Sequence, residues 1–330
     1  MTKFTFIHDL TETANHAGFK ARFDAKVIAE NIGGGIVKIP LSIGSLSSRL
    51  RSAMALILFL LKVNNKENLV FNYPLAKPYN IILNYILTIR KLKVLFIIHD
   101  LNSLRRNVDE DDVLFKASKV ISHNASMNNH LVNIGFSRDK IITLDVFDYL
   151  LVKGKQLTNN NYKDIGLLIA GNLSQQKAGY LYRWDTNFPV DLFGINYKGT
   201  NEHFMYHGVF EANNPEVILN LNKKFYGLVW DGDSPMTCEG IYGEYLKYNN
   251  PHKASLYLSL GLPIIVWKES ALSAFVVKEK CGVIIEKLSD LEEFFANTND
   301  HEQYFEAARR VGQQIAHGHY LEKALIDAIS

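Results

Sequence analysis

The stretch Val94-Leu-Phe-Ile-Ile98 places five apolar residues in a row, and a second unbroken run, Ile264-Ile-Val-Trp267, lies in the back half of the chain. A strand that is covered on both faces is apolar throughout, whereas a half-exposed strand alternates apolar and polar residues. The two runs therefore predict strands of parallel sheets that helices cover on both faces.

Outward from these runs, short apolar segments alternate with longer stretches of helical pattern. The predicted strands are 4–7, 36–39, 69–72, 94–99, 120–123 and 141–144 in the front half, and 165–170, 190–193, 226–230, 263–267 and 283–285 in the back half. The predicted helices are 18–31, 46–63, 80–91, 215–221, 251–260, 272–278, 288–296 and 303–329, the last with a break near Gly318. Strands that alternate with helices imply βαβ units and an α/β fold.

The chain of 330 residues is long enough for two domains. The polar run Thr158-Asn-Asn-Asn161, inside the segment 153–163, is the predicted linker. We therefore expect an N-terminal Rossmann-like domain over 1–155 and a C-terminal Rossmann-like domain over 156–330, with a cleft between them. By analogy with other proteins built from two such domains, we expect the terminal helix to cross back to the first domain.

The net charge of +2 is divided unevenly along the chain. Residues 1–155 contain 21 Lys or Arg and 13 Asp or Glu, a net charge of +8, while residues 156–330 contain 15 and 21, a net charge of −6. A basic front half favours contact with an anionic surface. An uneven drift of surface composition would give the same numbers, so both interpretations stay open.

The composition argues against several classes of protein. Cys238 and Cys281 are too few for a disulfide framework or a cysteine metal site, and we expect reduced thiols in a cytoplasmic protein. The first residues lack the pattern of a signal peptide. The most apolar segment, Ala53–Leu61, is about half as long as a membrane span, and we expect it to form a buried helix. No motif of a nucleic-acid-binding module is present, so we expect no nucleic-acid partner.

In the back half, Tyr226-Gly-Leu-Val-Trp-Asp-Gly232 ends a predicted buried strand in Asp-Gly. Parallel sheets bind ligands at the carboxyl ends of their strands, so Asp231 is a candidate binding residue. A turn that needs Asp and Gly for backbone reasons would have the same sequence. Asp231-Gly-Asp233 also has the spacing with which carboxylates hold Mg²⁺ or Mn²⁺, and this metal-dependent alternative stays open.

A second motif, Asn249-Asn-Pro-His-Lys253, precedes a predicted helix. Asn250 is a favourable N-cap and Pro251 suits the first helical turn. The N-terminus of a helix attracts phosphate, and a lysine in the first turn opposes the helix dipole unless an anion binds there. Asn250 and Lys253 are therefore candidate phosphate-binding residues, and the alternative for Lys253 is a solvated side chain.

Two weaker patterns follow predicted strands. Gly171-Asn172 ends a strand, and Lys177 follows at the start of an expected helix, as in a phosphate cradle, although the sequence matches neither GxGxxG nor a P-loop. In the front half, Asn15, His16 and Gly18 lie between the first strand and the first helix. A glycine in that position lets the backbone approach a ligand.

The first apolar run ends in His99-Asp100. Either side chain could act as a general base or orient a hydroxyl group. The alternative is that Asp100 or Asn102 caps a helix beside a structurally satisfied histidine. The acidic run Asp109-Glu-Asp-Asp112 is expected to be a solvated helix start, which the helix dipole favours.

These motifs together resemble one group of bacterial enzymes. The group comprises galactofuranosyltransferase-like enzymes and the glucosyltransferases that extend GlcNAc on serine-rich repeat adhesins. The resemblance spans nearly the whole chain, and its segments are His16-Ala-Gly18, Phe96–Asp100, Phe147-Asp-Tyr149, Gly171-Asn172, Gly227–Gly232, Tyr245–Lys253 and Leu256–Ile265.

The resemblance implies a GT-B fold, a UDP-sugar donor held by the second domain and an acceptor bound mainly by the first. It implies that Lys177 contacts the nucleotide diphosphate, that Tyr206 lies near the uridine and that Lys253 belongs to the phosphate-binding helix. His99-Asp100 corresponds to a His-Asp at the cleft-facing end of a first-domain strand. Relatives of the adhesin type have Arg directly after the Gly-Asn turn, whereas Lys177 comes later and cannot form arginine's bidentate contact.

We therefore expect a metal-independent hexosyltransferase that needs no cofactor beyond its donor substrate and moves galactofuranose or glucose to a glycan acceptor of a cell-surface polysaccharide or glycoprotein. Fixed positive charge at the diphosphate would stabilise the leaving group as negative charge grows on it. Asp100 is the expected base for an inverting reaction, with His99 second. A retaining reaction requires no such base, and the sequence leaves the stereochemistry open.

The acceptor could be a free, lipid-linked or protein-linked glycan. The basic residues Arg49, Arg51, Arg90, Lys91 and Lys93 would suit a lipid diphosphate at the inner face of the membrane. Relatives of this type often self-associate, so the resemblance is compatible with a homo-oligomer, and the sequence leaves the oligomeric state open. Two other functions stay open, a non-catalytic glycan-binding partner subunit and a sugar-nucleotide epimerase with the same two-domain layout.

Overall fold

The computed structural model describes residues 3–9, 17–39, 45–151, 164–221, 223–298 and 301–330. The described residues fall into two compact units. The first unit comprises those between Met1 and Leu144 together with Tyr320–Ser330, and the second comprises those between Asp145 and His319. The predicted linker, 153–163, lies outside the described residues.

The first unit contains one six-stranded parallel sheet. Its strands are β1 (Phe4–His8), β2 (Gly35–Lys38), β3 (Asn68–Tyr73), β4 (Lys93–Ile98), β5 (Lys119–Ser122) and β6 (Ile141–Thr143). Their order across the sheet is β2-β1-β3-β4-β5-β6, with every neighbouring pair parallel. All six strands predicted for the front half are confirmed, with ends that differ by at most one residue.

The second unit also contains one six-stranded parallel sheet. Its strands are β7 (Ile165–Asn172), β8 (Val190–Ile195), β9 (Phe204–Tyr206), β10 (Lys224–Val229), β11 (Ile264–Trp267) and β12 (Gly282–Ile285). Their order is β12-β11-β10-β7-β8-β9, again with every pair parallel. The five predicted strands are confirmed, and β9 was not predicted.

The apolar runs are buried on both faces, as their sequences predict. In β4, Phe96 packs into the core cluster on one face of the sheet, while Ile97, which points to the opposite face, is also fully buried. In β11, Trp267 belongs to the core of the second unit, and Val266 is buried behind it. Helices therefore cover both faces of each sheet.

The described residues form six α-helices in the front part of the chain and six in the back part. They are α1 (Ala17–Asn31), α2 (Leu46–Lys62), α3 (Lys77–Ile89), α4 (Asn102–Arg105), α5 (Asp112–Phe115), α6 (Ala125–Asn133), α7 (Gly240–Tyr245), α8 (His252–Ser259), α9 (Ser273–Glu279), α10 (Asp290–Asn297), α11 (Glu302–Ala316) and α12 (His319–Ile329). Short 3₁₀ segments occupy Arg138–Lys140, Gly179–Tyr182 and Pro215–Leu221. The predicted α-helix at 215–221 is thus a 3₁₀ segment, and the predicted break at Gly318 separates α11 from α12.

Two sequence-based expectations about burial are wrong. Ala53–Leu61 belongs to α2, but α2 lies on the outside of its sheet and buries only Ser52, Leu56 and Leu60. The acidic run is not fully solvated, because Glu110 is buried and accepts hydrogen bonds from the Tyr73 hydroxyl (2.6 Å) and the Ser103 amide (2.7 Å). Among the described residues, no helix is both long and apolar enough to cross a membrane.

Candidate functional site

The second sheet has a topological switch point between β7 and β10. The chain leaves β7 toward β8 on one side, and after β9 it resumes at β10 on the other side of β7. The connections on the two sides of this point diverge, so a crevice forms outside the carboxyl ends of the two strands, where doubly wound sheets bind ligands. The residues that follow β7 and β10 are Leu173 to Lys177 and Trp230 to Gly232.

Two glycines bring the backbones of β7 and β8 close together beside this point. Gly171 pairs with Gly194 in the parallel ladder, and both have positive φ angles, 133° and 148°. A Cβ atom at Gly194 would lie 1.8 Å from the Gly171 carbonyl oxygen, whereas a Cβ atom at Gly171 would meet no atom within 4 Å. The backbone at Gly171 therefore borders open space, so a ligand could approach it closely.

Asn172 and Lys177 shape the turn after β7. The Asn172 side-chain oxygen accepts hydrogen bonds from the Ser174 amide and the Asn196 side chain, both at 3.1 Å. The Lys177 carbonyl accepts a hydrogen bond from the Gly232 amide at 2.9 Å, and this contact ties the turn to the end of β10. The Lys177 ammonium lies 5.8 Å from the centre of the Tyr242 ring. The helix expected to begin near Lys177 is only the short 3₁₀ segment Gly179–Tyr182, because the chain folds back here against Gly232.

Lys253 and Asp231 form an ion pair at the end of β10. Lys253, in the first turn of α8, donates to the Asp231 carboxylate at 2.7 Å and to the Trp230 carbonyl at 3.0 Å. Asp231 is buried, and only a small part of Lys253 is exposed. Burial lowers the pKa of Lys253, the carboxylate of Asp231 opposes that shift, and the positive charge of Lys177 adds to it. Lys253 is thus not the solvated side chain of the alternative interpretation.

The position of Lys253 depends on how α8 packs against the sheet. Tyr257 lies one turn after Lys253, and its hydroxyl accepts a hydrogen bond from the Ala170 amide at 2.6 Å. The Tyr257 ring covers Gly227 in β10, where a Cβ atom would lie 2.2 Å from the ring. Gly227 therefore lets α8 lie close to β10, so that the first turn of the helix reaches Asp231.

Asn250 does not cap α8 as the sequence predicted. The helix begins at His252 and the capping position is Pro251, whose side chain forms no capping hydrogen bond. The Asn250 amide instead donates to the carbonyl of Asp145, which is 105 residues away in sequence. A long-range contact of this kind cannot be read from local sequence, and it leaves Asn250 as a buried structural group.

Tyr206 ends β9 on the same edge of the sheet. Its hydroxyl donates to the Gly194 carbonyl at 2.7 Å, and its ring, 44% exposed, lies 5.3 Å from the ring of Tyr197. The structure therefore brings Gly171, Asn172, Lys177, Asp231, Lys253 and Tyr206 to one edge of the second sheet.

Asp231 and Asp233 have different neighbours. Asp231 is engaged by Lys253, whereas a Cβ atom at Gly179 would lie 2.7 Å from the Asp233 carboxylate, which is therefore packed against Gly179. Within the described parts of the chain, no group of three or more His, Cys, Asp or Glu side chains is arranged to hold a metal ion.

The first sheet has its own switch point, between β1 and β3. Asp9 follows β1, and its carboxylate accepts a hydrogen bond from the side chain of Asn72 in β3 at 2.9 Å. Arg22 forms an ion pair with the same carboxylate and donates to the Pro74 carbonyl at 2.8 Å. Nε2 of His99 lies 2.8 Å from the Asn72 side-chain oxygen. A chain of polar side chains thus joins Arg22, Asp9, Asn72 and His99 across the switch point.

Asp100 follows His99 and forms an ion pair with Arg105. Neither Asp100 nor Asn102 caps α4, because the capping position is Leu101. Gly18 lies in the first turn of α1, on its exposed side. Asn15 and His16 lie outside the described residues.

Four polar or aromatic groups at these edges were not singled out from the sequence. They are Asp9, Arg22 and Asn72 in the first unit and Tyr242 in the second. Asp9 comes two residues after a predicted strand, so a signal like the one that marked Asp231 was present there too. Asn72 offered a weaker signal, a single amide at the end of an otherwise apolar strand.

Comparison with known sequences assigns both halves of the chain. Residues 4–146 match the N-terminal domain, and residues 167–328 the C-terminal domain, of glucosyltransferase 3-like proteins. The chain is 38% identical to the beta-1,6-galactofuranosyltransferase WbbI of Escherichia coli (strain K12) over 330 residues, which cover 98% of each chain. It is 24% identical to glucosyltransferase 3 of Streptococcus gordonii over 224 residues, 66% of this chain and 63% of that one.

Solved structures share the fold at low identity. The lipopolysaccharide outer core galactosyltransferase WaaB, in its apo form, aligns with a TM-score of 0.62 at 11% identity, over 99% of both chains. Anabaena Alr3699/HepE, in complex with UDP and glucose, aligns with a TM-score of 0.59 at 12% identity, over 100% of this chain and 99% of that one. The two parallel Rossmann-like sheets of this chain, together with these alignments over its full length, confirm the expected GT-B fold.

Proposed function

The chain belongs to the glucosyltransferase 3-like family of GT-B glycosyltransferases, and on that premise we propose that it transfers galactofuranose from UDP-galactofuranose to a glycan acceptor. It is a hexosyltransferase that uses a UDP-sugar, as the similarity over its full length to WbbI and its match to both family domains indicate. Identity of 38% to a galactofuranosyltransferase, against 24% to a glucosyltransferase, favours galactofuranose over glucose.

The observation that supports this function most directly is the Lys253–Asp231 pair at the switch point of the second sheet. Asp231 fixes the ammonium group at the end of β10, and α8 directs its N-terminal amides to the same edge. We assign the donor diphosphate to this place, with Lys253 and Lys177 as its cations. Gly171 lets the phosphate approach the backbone of β7, and Tyr206 borders the uridine.

Catalysis at this site rests on charge that is already in place. When the bond between sugar and phosphate breaks, negative charge grows on the leaving UDP, and a nearby buried ammonium stabilises it more than it stabilises the ground state. The pKa of Lys253, which burial lowers, would rise again when a diphosphate binds, so the charged form is favoured during the reaction. This arrangement supports transfer without a divalent metal.

We assign the acceptor to the first unit, at the carboxyl edge of its sheet. Asp100 and His99 are the candidate bases for an inverting reaction. Arg105 engages the Oδ2 atom of Asp100, so a substrate hydroxyl would meet the other oxygen. His99 is held by Asn72 and is the second candidate. The first unit, which includes residues 320–330, and the second unit would then act as the acceptor and donor domains of a cytoplasmic enzyme that forms a homo-oligomer.

A thermal-shift titration with UDP, GDP and ADP tests the donor site. A ligand that binds only the folded protein stabilises it by about 2.7 kcal/mol at a hundredfold excess over Kd. We expect a shift with UDP that is the same in EDTA and in Mg²⁺, is lost in Lys253→Ala and is retained in Lys278→Ala, a control at an exposed lysine. A UDP shift that requires Mg²⁺ would contradict metal independence, and no shift with any nucleotide would favour the partner-subunit function.

Transfer itself is tested with UDP-galactofuranose and UDP-glucose in the presence of glycan acceptors. We expect free UDP and a galactofuranosylated product, with a rate that falls roughly 10²–10³-fold in Lys253→Ala. An isomerised sugar nucleotide without a transferred sugar would identify an epimerase instead. A higher rate with UDP-glucose would correct the donor while leaving the reaction class unchanged.

A further inference from the structure

An apolar stripe runs along the solvent side of α2. Leu46, Leu50, Met54 and Leu58 recur every four residues and so lie on one side of the helix, and Leu61 joins them. These five side chains are between 47% and 74% exposed, although α2 also buries Leu56 and Leu60 in the core. The helix is therefore apolar on its outer side as well as on its inner side. A helix whose outer side faces only water has polar residues on that side.

A second stripe lies on α3. Ile81, Tyr85 and Ile89 are also spaced by four residues, and each is more than half exposed. The two helices pack against each other, and their inner sides join the same core cluster over one face of the sheet. Their outer sides consequently form one surface, the α2–α3 face, whose apolar members are Leu46, Leu50, Met54, Leu58, Leu61, Ile81, Tyr85 and Ile89.

The segment that forms this face is strongly basic. Residues 46–93 contain eight Lys or Arg and a single acid, Glu67, a net charge of +7, so they account for nearly all of the +8 carried by residues 1–155. Arg51, Lys62, Lys77, Lys91 and Lys93 are exposed. Arg90 has a structural role instead, since its guanidinium donates to the Leu60 and Val63 carbonyls at the end of α2.

Charge and apolarity together select the occupant of this face. A second copy of the chain would bring two segments of net charge +7 together, and like charges in contact are unfavourable. An anionic bilayer attracts Lys and Arg near its surface and accepts apolar side chains just below the head groups. Long basic side chains can lie along the apolar surface while their charged ends reach the head groups.

We propose that the α2–α3 face docks the protein on an anionic lipid bilayer, with the apolar side chains inserted at the interface and the surrounding lysines and arginines on the head groups. This proposal rests on the proposed function and deepens it, because a transferase that binds the membrane would meet a lipid-linked acceptor there. Tyr85 has the apolar ring and polar hydroxyl that suit the interface.

Vesicle flotation of the full chain tests the proposal, with vesicles of phosphatidylcholine alone and of phosphatidylcholine with 30% phosphatidylglycerol. We expect binding to the anionic vesicles that weakens in high salt. Leu50→Ser/Leu58→Ser should weaken it at least about tenfold, since each leucine loses its burial in the bilayer. Arg51→Gln/Lys62→Gln should weaken it about fivefold per charge removed. Ile241→Ser/Val277→Ser, at two exposed apolar residues of the second unit, should bind like the unaltered protein.

Three results would overturn the proposal. The first is that the protein does not float with anionic vesicles. The second is that the leucine variant floats as well as the control variant. The third is that ultracentrifugation shows an oligomer for the unaltered protein and a monomer for the leucine variant, while neither binds vesicles. The last result would identify the face as an interface between copies.

The UDP thermal shift of each variant, measured without vesicles, separates this proposal from the proposed function. A variant that keeps the UDP shift and loses flotation is folded and lacks only the docking face. If the protein floats with vesicles but shows no thermal shift with UDP, the docking proposal is supported and the donor-site assignment is contradicted.

Discussion

Asn72 determines which nitrogen of His99 carries the proton. The amide nitrogen of Asn72 donates to the Asp9 carboxylate, which can only accept, so the amide oxygen is left to accept from His99. Nε2 of His99 must then be the donor and carry a proton. Arg22 holds Asp9 in turn, so three residues fix the position of the Nε2 proton of His99 at the edge of the first sheet.

If His99 is the base, His99→Gln should lower kcat by about 10²–10⁴. Glutamine can still donate to Asn72, but it has no ring nitrogen to take a proton. Steady-state kinetics with a saturating acceptor should show an unchanged KM for the donor, because the donor site lies on the other sheet. Retained kcat in this variant, with a large loss in Asp100→Asn, would assign the base to Asp100.

Asn72→Leu tests the positioning role separately. We expect kcat to fall about tenfold or more, because the tautomer and orientation of His99 are no longer fixed, while the KM for the donor is unchanged. Asn80→Leu is the matched control, since Asn80 is an equally buried amide of the same unit that bonds to Leu75 and Asp111. Equal kcat losses in the two variants would mean that general destabilisation is the cause.

His123 makes stability depend on pH. Complete burial lowers its pKa to about 4, and Nε2 donates to the Ile98 carbonyl at 2.9 Å. Above pH 6.5 the ring is neutral in both folded and unfolded protein, so it contributes no pH dependence. Between pH 6.5 and 4 the unfolded chain takes up a proton that the folded protein does not, so folding loses up to roughly 3 kcal/mol.

His123→Gln should remove this part of the pH dependence. We expect urea unfolding between pH 7 and 4.5 to give a shallower decline in the free energy of unfolding than in the unaltered protein, by about 1.4 kcal/mol per pH unit at most. Parallel declines in the two proteins would show that other groups cause the acid sensitivity. His8 and His130, whose pKa values are also lowered by burial, are the first alternatives.

At the scale of the elements, the sequence predicts the strands well because the central ones are apolar runs buried on both faces. All eleven predicted strands are found, including the edge strands β2 and β6, which are only partly buried. β9, with the sequence Phe204-Met-Tyr206, is too short to form such a run. Glycines and prolines marked helix ends such as Gly318 correctly, whereas the four-residue helices α4 and α5 carry no periodic pattern that could be recognised.

The candidate sites were predicted in part, for a physical reason. Asp231 follows a strand, and Lys253 lies in the first turn of a helix. Local sequence therefore suffices to bring each of them to the carboxyl edge of a parallel sheet. Asp9 and Asn72 are 63 residues apart and meet only because β1 and β3 are neighbours, which the strand order decides. The prediction that Asn250 caps α8 was wrong because its amide bonds to the distant Asp145 carbonyl rather than to the nearby helix.

The backbones of β7 and β8 lie so close together at Gly194 that one added methyl group should strongly lower the stability of the protein. Gly194→Ala should destabilise the protein by more than about 3 kcal/mol, because the new Cβ atom would overlap the Gly171 carbonyl in addition to straining the backbone. Gly135→Ala is the matched control, since its φ angle is 101° but no atom lies near the added methyl. It should cost about 1–2 kcal/mol. Equal losses in urea unfolding would contradict the steric argument.

At the scale of the whole molecule, α12 belongs to the first unit although it follows the second in sequence. Residues 320–330 cluster with the first unit, and the Lys119 ammonium donates to the Asp327 carbonyl at 3.2 Å. The helix buries Leu321, Ala324, Leu325 and Ala328 along one side. The first unit is therefore completed by a segment that the chain reaches only after the second unit.

Leu325→Ala should destabilise the first unit by about 2–5 kcal/mol, since the leucine is fully buried. Ile326→Ala, at the adjacent and partly exposed position, should change stability little. In calorimetry, saturating UDP should raise the transition of the second unit in both variants alike. Similar losses in the two variants would contradict the assignment of Leu325 to the core of the first unit.

The late position of α12 has a consequence for how the protein is made. A ribosome that has finished residue 144 must still add the 175 residues of 145–319 before α12 can be translated. At about 5–20 residues per second this takes roughly 10 to 35 s. During that interval the apolar surface that α12 later covers stays open on the nascent chain. Chaperones that bind such surfaces should therefore engage the first unit during translation and leave it only after the second unit has emerged.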